Sequence, residues 1–292
     1  MEENNKNKKP VVAVLGTGLI GCSMADGLRG WAGEIIGADN NTAHLDEALG
    51  RGLIDRSMAA GEAVKAAGLV IIAMPVDATV RVLPGVLDNA GDAVVIDAGS
   101  VKGAVCRSVE RHPNRDRFVA AHPMAGLAVS GPGASDAMIF RNRKVVICER
   151  ERSSEKALET CMEVFGRLKM EPVFMDPLFH DQCVARVSHL PQVVAYCLSA
   201  ITAEDSSLRD SMLKIASSGF ESATRLSSSP AGMWLPIFRQ NAENLNGSID
   251  ELIRYLSTVQ QMIGAGEWDA LGAFVEEAND ARKRYMSAYK NR

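Results

Sequence analysis

The sequence predicts an α/β protein in which a mostly parallel sheet with helices on both faces is followed by an all-α domain. In the first part, short apolar runs rich in Val and Ile alternate with helical patterns, which is typical of strands buried on both faces. After Asp176 the strand pattern stops and helical periodicity continues. The 292 residues are therefore divided into a flexible tail (1–10), a sheet domain (11–175) and a helical domain (176–292).

Each predicted strand is a short apolar run rich in β-branched residues, and the first is bounded by Gly16. Such runs suit parallel strands, because helices cover both faces of the sheet. In chain order, the predicted strands are Val11–Leu15, Ile35–Ala38, Leu69–Met74, Ala93–Ile96, Phe118–Ala121, Lys144–Cys148 and Val173–Met175.

The clearest helix of the sheet domain is predicted over Glu155–Met170, where apolar residues recur at helical spacing. In the second domain, helices are predicted over Val184–Cys197, with an interruption at Pro191, and over Leu245–Ile263 and Trp268–Tyr289. Their apolar stripes are wide for a domain of this size. We therefore expect a second helical layer that another subunit supplies.

Composition and charge exclude several classes of protein. The chain is 47% hydrophobic, and Lys+Arg (32) against Asp+Glu (36) gives a net charge of -4, which leaves no basic excess for nucleic acid. The apolar runs are far shorter than the roughly 18–20 residues that span a bilayer, and residues 1–10 lack a signal peptide's apolar core, so a cytoplasmic protein is expected. The six cysteines are widely spaced, which predicts free thiols rather than a metal site or disulfides.

A glycine-rich turn directly follows the first strand and predicts a dinucleotide site of the Rossmann type. In full, the turn reads Gly16-Thr17-Gly18-Leu19-Ile20-Gly21. Gly16 allows the tight turn, Gly18 lets the backbone approach a pyrophosphate, and Gly21 lets the helix pack on the strand. The helix N-terminus then offers N–H groups to the phosphates. The alternative is a glycine-rich strand–helix turn without a ligand.

Asp39 ends the second strand and favours NAD over NADP, because an acid there accepts a hydrogen bond from a ribose 2′-hydroxyl and repels a 2′-phosphate. The next Arg is Arg51, so no cation is placed to hold that phosphate.

Pro75 and Ser100 end later strands at the carboxyl edge of the sheet, where such ligands bind. Ser100 and Lys102 are expected to face the nicotinamide; the alternative is an ordinary helix cap at Ser100.

His122 is the candidate base. It lies at the carboxyl end of the fifth strand, and Pro123 restricts its backbone. A dehydrogenase needs a group that takes the hydroxyl proton as hydride leaves the adjacent carbon, and a neutral imidazole suits that role. The alternative is a loop histidine whose ring is satisfied by the backbone.

Taken together, these motifs resemble those of the prephenate dehydrogenase family, NAD-dependent enzymes of tyrosine biosynthesis. The resemblance rests on Gly16–Gly21 with Cys22-Ser23, Asp97–Lys102, His122–Gly126, His180-Asp181, Ser188–Pro191, Gly219-Phe220, Thr224-Arg225, Met233-Trp234 and Asn241–Asn244. The motifs follow one another in the family's order and cover nearly the whole chain past residue 10.

The resemblance implies oxidative decarboxylation of prephenate to 4-hydroxyphenylpyruvate, with NAD as oxidant. It implies that His122 takes the proton of the 4-hydroxyl and that Ser100 helps to orient both. Arg225 is expected to bind a substrate carboxylate through its guanidinium fork. The other residues expected in the same cleft are Ser188, His189 and Gln192. The family also implies a homodimer formed through the helical domain, so that this domain is a dimerisation domain.

His180 is expected to be a structural cap, with Asp181 as its partner. The sequence departs from the family's pattern at Gln192, where many members have a second His, at Glu221, where an Arg-Asp pair is common, and at Ala128, where an acid is common. Arogenate carries an ammonium where prephenate has a keto group, and Glu221 would favour the ammonium if it faced the cleft. Prephenate is therefore the main hypothesis, while arogenate, or both substrates, remains the alternative.

Two more distant alternatives are a β-hydroxyacid dehydrogenase on the same scaffold and an NAD-binding regulator without activity. The first would carry a Lys on the first long helix of the second domain, which here offers Ser188–Pro191 instead. The second is disfavoured by the combination of His122, Ser100 and Arg225. The two domains account for the length, so a monofunctional enzyme without a chorismate mutase or regulatory domain is expected.

Overall fold

The structure is a computed structural model, and it describes residues 9–127, 129–204 and 206–290. Most of the predicted tail lies outside the described residues, as does Ala128. The predicted fold class is confirmed, because strands alternate with helices through Met175 and the described chain beyond it is helical.

One mostly parallel sheet organises the first part of the chain. Strands β1 to β8 span Val11–Leu15, Glu34–Ala38, Arg56–Ser57, Leu69–Ile72, Val94–Asp97, Phe118–Pro123, Lys144–Cys148 and Glu171–Met175. Their order in the sheet is β3-β2-β1-β4-β5-β6-β7-β8, and β6 and β7 form the antiparallel pair. The sequence does not predict β3, because a two-residue strand carries no readable period.

Helices cover both faces of this sheet. Helices α1 to α6 span Leu19–Leu28, Thr42–Gly50, Ala60–Ala66, Val76–Asn89, Gly103–Ser108 and Glu155–Arg167. Successive residues of β1 belong to opposite cores, so that Val12 and Val14 pack in one apolar cluster and Ala13 and Leu15 in the other. The inner strands β1, β4, β5, β6 and β7 are thus buried on both faces, as their continuous apolar sequences predict, whereas the edge strand β3 is exposed and the edge strand β8 is exposed or half-buried.

The helical part begins with α7 (Pro177–Val184), whose N-cap Asp176 accepts the N–H groups of Leu178 and Phe179. A π-helical turn, Ala185–His189, joins α7 to α8 (Leu190–Glu204). The predicted interruption near Pro191 is therefore a widened turn just before the proline, which has no N–H to donate and would crowd a regular helix.

Further helices follow: α9 (Ser206–Ile215), α10 (Ser218–Thr224), α11 (Ala231–Gln240), α12 (Ala242–Ala265) and α13 (Trp268–Lys290). The sequence predicts α12 and α13 to within a few residues, but not α9 to α11. By its contacts the chain forms two compact units, one through residue 242 and one from residue 243. Among the described residues, no helix is both long and apolar enough to cross a membrane.

The second unit carries exposed apolar side chains on both of its helices. Within it, the rings of Tyr255 and Phe274 are 6.2 Å apart. Its exposed large apolar side chains include those of Ile253, Leu256, Ile263, Trp268 and Val275.

Candidate active site

The glycine-rich turn after β1 has the geometry that its sequence predicts. Gly16 has φ +97°, and a Cβ there would lie 2.5 Å from the carbonyl oxygen of Ala73. A Cβ on Gly21 would lie 2.0 Å from the carbonyl oxygen of Gly16. By contrast, nothing lies within 4 Å of a Cβ built on Gly18. The fold itself thus requires Gly16 and Gly21, whereas Gly18 leaves an open cradle at the start of α1.

A cavity of about 480 Å³ opens beside that cradle, at the carboxyl ends of β1, β4 and β5. Of the predicted cofactor residues, it is lined by Gly18, Leu19, Ile20 and Pro75, and Ser100 also lines it. Residues of the helical part complete the wall, among them Pro230, Gly232, Met233 and Ile237. We name this space the dinucleotide cavity.

Asp39 is turned towards the glycine-rich turn. One carboxylate oxygen accepts the Thr17 N–H (2.7 Å) and hydroxyl (3.2 Å), and the other accepts the Asn41 N–H (2.8 Å). A carboxylate has about four acceptor positions, so Asp39 retains capacity for a ribose hydroxyl. Arg51 donates to the hydroxyl (3.1 Å) and carbonyl (3.3 Å) oxygens of Ser135, which holds the guanidinium on a neighbouring loop.

A second cavity of about 480 Å³ lies where the end of β6 faces the π-helical turn and α11. We name it the His122 pocket. Its polar lining consists of Ser100, His122, Arg143, Ser188, His189 and Ser229. Its apolar lining includes Met124, Ile139, Val187, Met233, Trp234 and Ile237. Because Ser100, Gly126 and Met233 are among the residues that line both cavities, the two cavities adjoin.

The imidazole of His122 ends a buried hydrogen-bonded chain. His122 Nδ1 lies 2.9 Å from His180 Nε2, and His180 Nδ1 lies 2.8 Å from a carboxylate oxygen of Asp181. The carboxylate only accepts, so His180 carries its proton on Nδ1 and accepts on Nε2. His122 therefore donates its Nδ1–H to His180, and its lone pair is on Nε2. The hydrogen bonds from Asp181 through His180 to His122 thereby select the tautomer of His122 that a general base needs.

Asp181 is itself fixed by the loop that carries Ser100. Its two carboxylate oxygens accept the backbone N–H groups of Lys102 and Gly103, each at 2.8 Å. The prediction that Asp181 is the partner of His180 is confirmed. His180 is more than a cap, because its other ring nitrogen holds His122. The described hydrogen bonds orient His122 through His180 rather than through Ser100.

A buried ion pair lies behind His122. The Lys102 ammonium contacts the Asp97 carboxylate and donates to the carbonyl of Ala121 (2.7 Å), and both charged side chains are fully buried. Asp97 also accepts the N–H groups of Ala121 (3.1 Å) and Gly99 (3.1 Å). This pair therefore joins β5, the loop with Ser100, and the strand residue that precedes His122.

Burial keeps His122 neutral. Its desolvation is the largest effect and lowers the pKa of His122 well below 6.5, and the nearby His180, Lys102 and His189 lower it further. A base must be unprotonated before it can accept a proton, so this environment favours the reactive form at neutral pH.

His189 is a hydrogen-bond donor of the same pocket. Asn241 donates through Nδ2 to the carbonyl of Asp181 (2.8 Å), and the same nitrogen lies 3.2 Å from His189 Nδ1. His189 Nδ1 is therefore an acceptor, and its proton is on Nε2. Burial lowers the pKa of His189 to about 4, so this ring is also neutral at pH 7.

Comparison with known proteins identifies the family. The nucleotide-binding domain of prephenate dehydrogenase matches residues 24–173, and the dimerization domain of prephenate dehydrogenase matches residues 176–277. The chain is 30% identical over 281 residues to a prephenate dehydrogenase of Bacillus subtilis, and this match covers 94% of this chain and 76% of that protein. The chain belongs to the prephenate dehydrogenase family.

Two solved structures of similar proteins extend this result. A prephenate dehydrogenase from A. aeolicus, in complex with hydroxyphenyl propionate and NAD+, has a TM-score of 0.84 and 28% identity, and the match covers 94% of this chain and 97% of that one. An arogenate dehydrogenase from Synechocystis has a TM-score of 0.77 and 25% identity, with coverage of 94% and 99%. The resemblance read from the motifs is thus confirmed.

Gln192 and Arg225, two of the predicted substrate-binding residues, are not among the described residues that line either cavity. Gln192 is buried, but its amide donates to the carbonyl of Leu226 (2.6 Å), and it is not among the described lining residues of either cavity. Arg225 is exposed at the end of α10, a helix without buried residues. Glu221 on the same helix is also exposed, so it does not indicate a site for an ammonium group.

Sequence reasoning missed two features of this prephenate dehydrogenase family member. The link from His180 to His122 joins residues 58 apart, which no local pattern shows. Arg143 lines the His122 pocket although no family motif contains it. A signal was present for Arg143, because it directly precedes the strand Lys144–Cys148 that pairs with the strand carrying His122.

Proposed function

We propose that this chain catalyses the NAD-dependent oxidative decarboxylation of prephenate to 4-hydroxyphenylpyruvate. The observation that carries the proposal is the chain Asp181–His180–His122, which presents a neutral base to a pocket that adjoins the dinucleotide cavity. Family membership supports the reaction class, and the relatives named prephenate dehydrogenase support the substrate.

NAD fits the dinucleotide cavity. The open space at Gly18 leaves room for a pyrophosphate at the start of α1, and Asp39 is the acceptor for the ribose. Leu19, Ile20 and Pro75 would form the wall, and Ser100 would face the nicotinamide end. When bound, NAD accepts the hydride that leaves the ring carbon of the substrate. Because Arg51 is held by Ser135, a 2′-phosphate would meet Asp39 without a compensating cation, which favours NAD over NADP.

His122 accepts a proton from the substrate and later returns it to the product. Its Nε2 takes the proton of the 4-hydroxyl as that carbon becomes a carbonyl, and the imidazolium is stabilised through His180 by the Asp181 carboxylate. The bond to the ring carboxylate then breaks, its electron pair enters the ring, and carbon dioxide leaves. The ring becomes aromatic, and the phenolate oxygen recovers the proton from His122. Ser100, at the junction of the two cavities, contacts the 4-hydroxyl.

Ser188 and His189 line the pocket across from the sheet. The Nε2–H of His189 is a neutral donor for a substrate oxygen. The ring carboxylate loses its charge when it departs as carbon dioxide. This departure is easier from an apolar surface, and Met124, Ile139 and Trp234 supply such a surface.

Prephenate is favoured over arogenate by the pocket's charge. Among the described residues that line it there is no Asp or Glu, and Glu221 lies exposed outside it. The ammonium of arogenate would therefore enter without a counter-charge. The solved arogenate dehydrogenase from Synechocystis keeps arogenate as the second candidate substrate.

The test is NADH formation, followed by absorbance, with NAD and either prephenate or arogenate at matched concentrations. We expect turnover with prephenate and a higher kcat/KM for it than for arogenate. Absence of NADH with both substrates would refute the proposed activity, and a higher kcat/KM for arogenate would reverse the substrate assignment. Repeating the assay with Glu221→Gln checks that this exposed acid does not set the preference.

We also propose a homodimer formed through the helical part. The match to the family's dimerization domain and the exposed apolar side chains of α12 and α13 support it. The six free thiols suit a reducing cytoplasm. Sedimentation of the purified protein tests the dimer, since a monomer at micromolar concentration would contradict it.

A further inference from the structure

Arg143 is an exposed residue that lines the His122 pocket. His122 pairs with Val146 across the two antiparallel strands, and Arg143 is three residues before Val146, which is about 10 Å of extended chain. The next backbone bond, from the Met124 N–H to the carbonyl of Lys144 (2.8 Å), continues the strand pair in the direction of Arg143. Its side chain lines the same cavity as His122 and His189.

The charge of the pocket is carried by this residue. Both histidines that line it are neutral at pH 7, because burial lowers the pKa of each. Among the described lining residues Arg143 is the only Lys or Arg, and no lining residue is acidic. Arg225, for which the family pattern predicts carboxylate binding, is exposed and outside this lining. Among the described residues of this unit, one arginine therefore lines the pocket that a substrate with two carboxylates would enter.

We propose that Arg143 binds the side-chain carboxylate of the substrate, the one that the product retains. This inference rests on the proposed function. With the 4-hydroxyl at His122, the carbon that bears both carboxylate-containing groups lies across the ring from the base, and Arg143 is the cation that lines the same pocket. A guanidinium matches a carboxylate in charge and in fork geometry.

The choice between the two carboxylates follows from the chemistry. The ring carboxylate loses its charge as carbon dioxide forms, so a cation paired with it would be bound more strongly in the ground state than in the transition state and would slow the reaction. The side-chain carboxylate keeps its charge throughout. A cation there improves binding equally in both states, so Arg143 should set KM rather than kcat.

The experiment compares Arg143→Gln and Arg143→Lys with wild type and with Arg141→Gln, a nearby exposed arginine outside both cavities. We expect Arg143→Gln to raise the KM for prephenate at least about tenfold, as for one lost charged hydrogen bond, while kcat and the KM for NAD stay within about twofold. Arg143→Lys should fall between Gln and wild type, because it keeps the charge without the fork. Arg141→Gln should behave as wild type.

Binding of 4-hydroxyphenylpyruvate, measured by calorimetry in the presence of NAD, distinguishes the carboxylates and does not depend on turnover. Because this product has lost the ring carboxylate, we expect Arg143→Gln to weaken its binding by the same factor as the KM changes. An unchanged KM, or a raised KM with unchanged product affinity, would overturn the inference. If the wild type binds the product but does not oxidise prephenate, the proposed function fails while the role of Arg143 is still decided by the titration.

Discussion

Removal of the His180 ring tests the hydrogen-bonded chain behind the base. In His180→Phe a ring of similar shape remains, but the acceptor for His122 Nδ1–H is lost. That bond becomes a bond to a charged group once His122 takes the proton, and such bonds contribute about 1.5–3 kcal/mol. At 1.36 kcal/mol for each factor of ten, kcat should fall by roughly 10- to 150-fold.

The substrate and cofactor constants separate this role from general damage. His180 is not among the described lining residues of either cavity, so the KM for prephenate and the affinity for NAD should stay within about twofold of wild type. The assay is steady-state NADH formation, with the melting temperature recorded for each variant. His112→Phe is the matched control, because His112 is also paired with a carboxylate, that of Asp88 at 3.2 Å, away from both cavities.

The double variant completes the test. If Asp181 acts through His180, Asp181→Asn should lower kcat in the same direction, and the combination with His180→Phe should cost less than the product of the two single effects. A folded His180→Phe enzyme with kcat within threefold of wild type would refute the reasoning. The hydrogen bonds from Asp181 through His180 would then hold the helical part in place without assisting the base.

Three further outcomes follow from the geometry. The kcat/KM for prephenate should be level above pH 6.5 and fall only at lower pH, because the pKa of His122 is lowered and the neutral ring is the active form; a half-maximum at or above pH 6.5 would contradict this. Lys102→Met should reduce the free energy of unfolding, measured by urea titration, by about 3–5 kcal/mol, because it leaves Asp97 buried without its partner. The double variant Asp97→Asn with Lys102→Met should recover much of that stability. A double variant that loses as much stability as Lys102→Met alone would exclude the ion pair as the cause. Asp39→Ala should weaken NAD relative to NADP in a binding titration, whereas equal effects on both would show that Asp39 does not contact the ribose.

Most of the sheet was predictable because its strands depend on local sequence. The apolar runs at Val11–Leu15 and Lys144–Cys148 are the observed strands. The turn after the first strand needs a positive φ at residue 16, and the glycine there already suggests this in the sequence. The arrangement of these strands puts Ser100 and His122 at one edge of the sheet. The position of both residues was therefore accessible from the sequence.

Contacts between distant helices were not predictable in the same way. His180 reaches His122 because α7 packs on the loop that begins α5, through hydrogen bonds from Lys102 and Gly103 to Asp181. Gln192 lies in the first turn of α8, just after the π-helical turn that carries Ser188 and His189, but its amide turns to the carbonyl of Leu226. Helical spacing defines which residues share a face, but it does not define what packs against that face.

The most direct test of the account is NADH formation from prephenate by His122→Asn at saturating NAD. The account predicts a kcat roughly 10²- to 10⁴-fold below wild type, with NAD affinity unchanged, because the asparagine side chain cannot take the hydroxyl proton. A decrease of only a few-fold in a folded protein would contradict it and would remove His122 from the role of base.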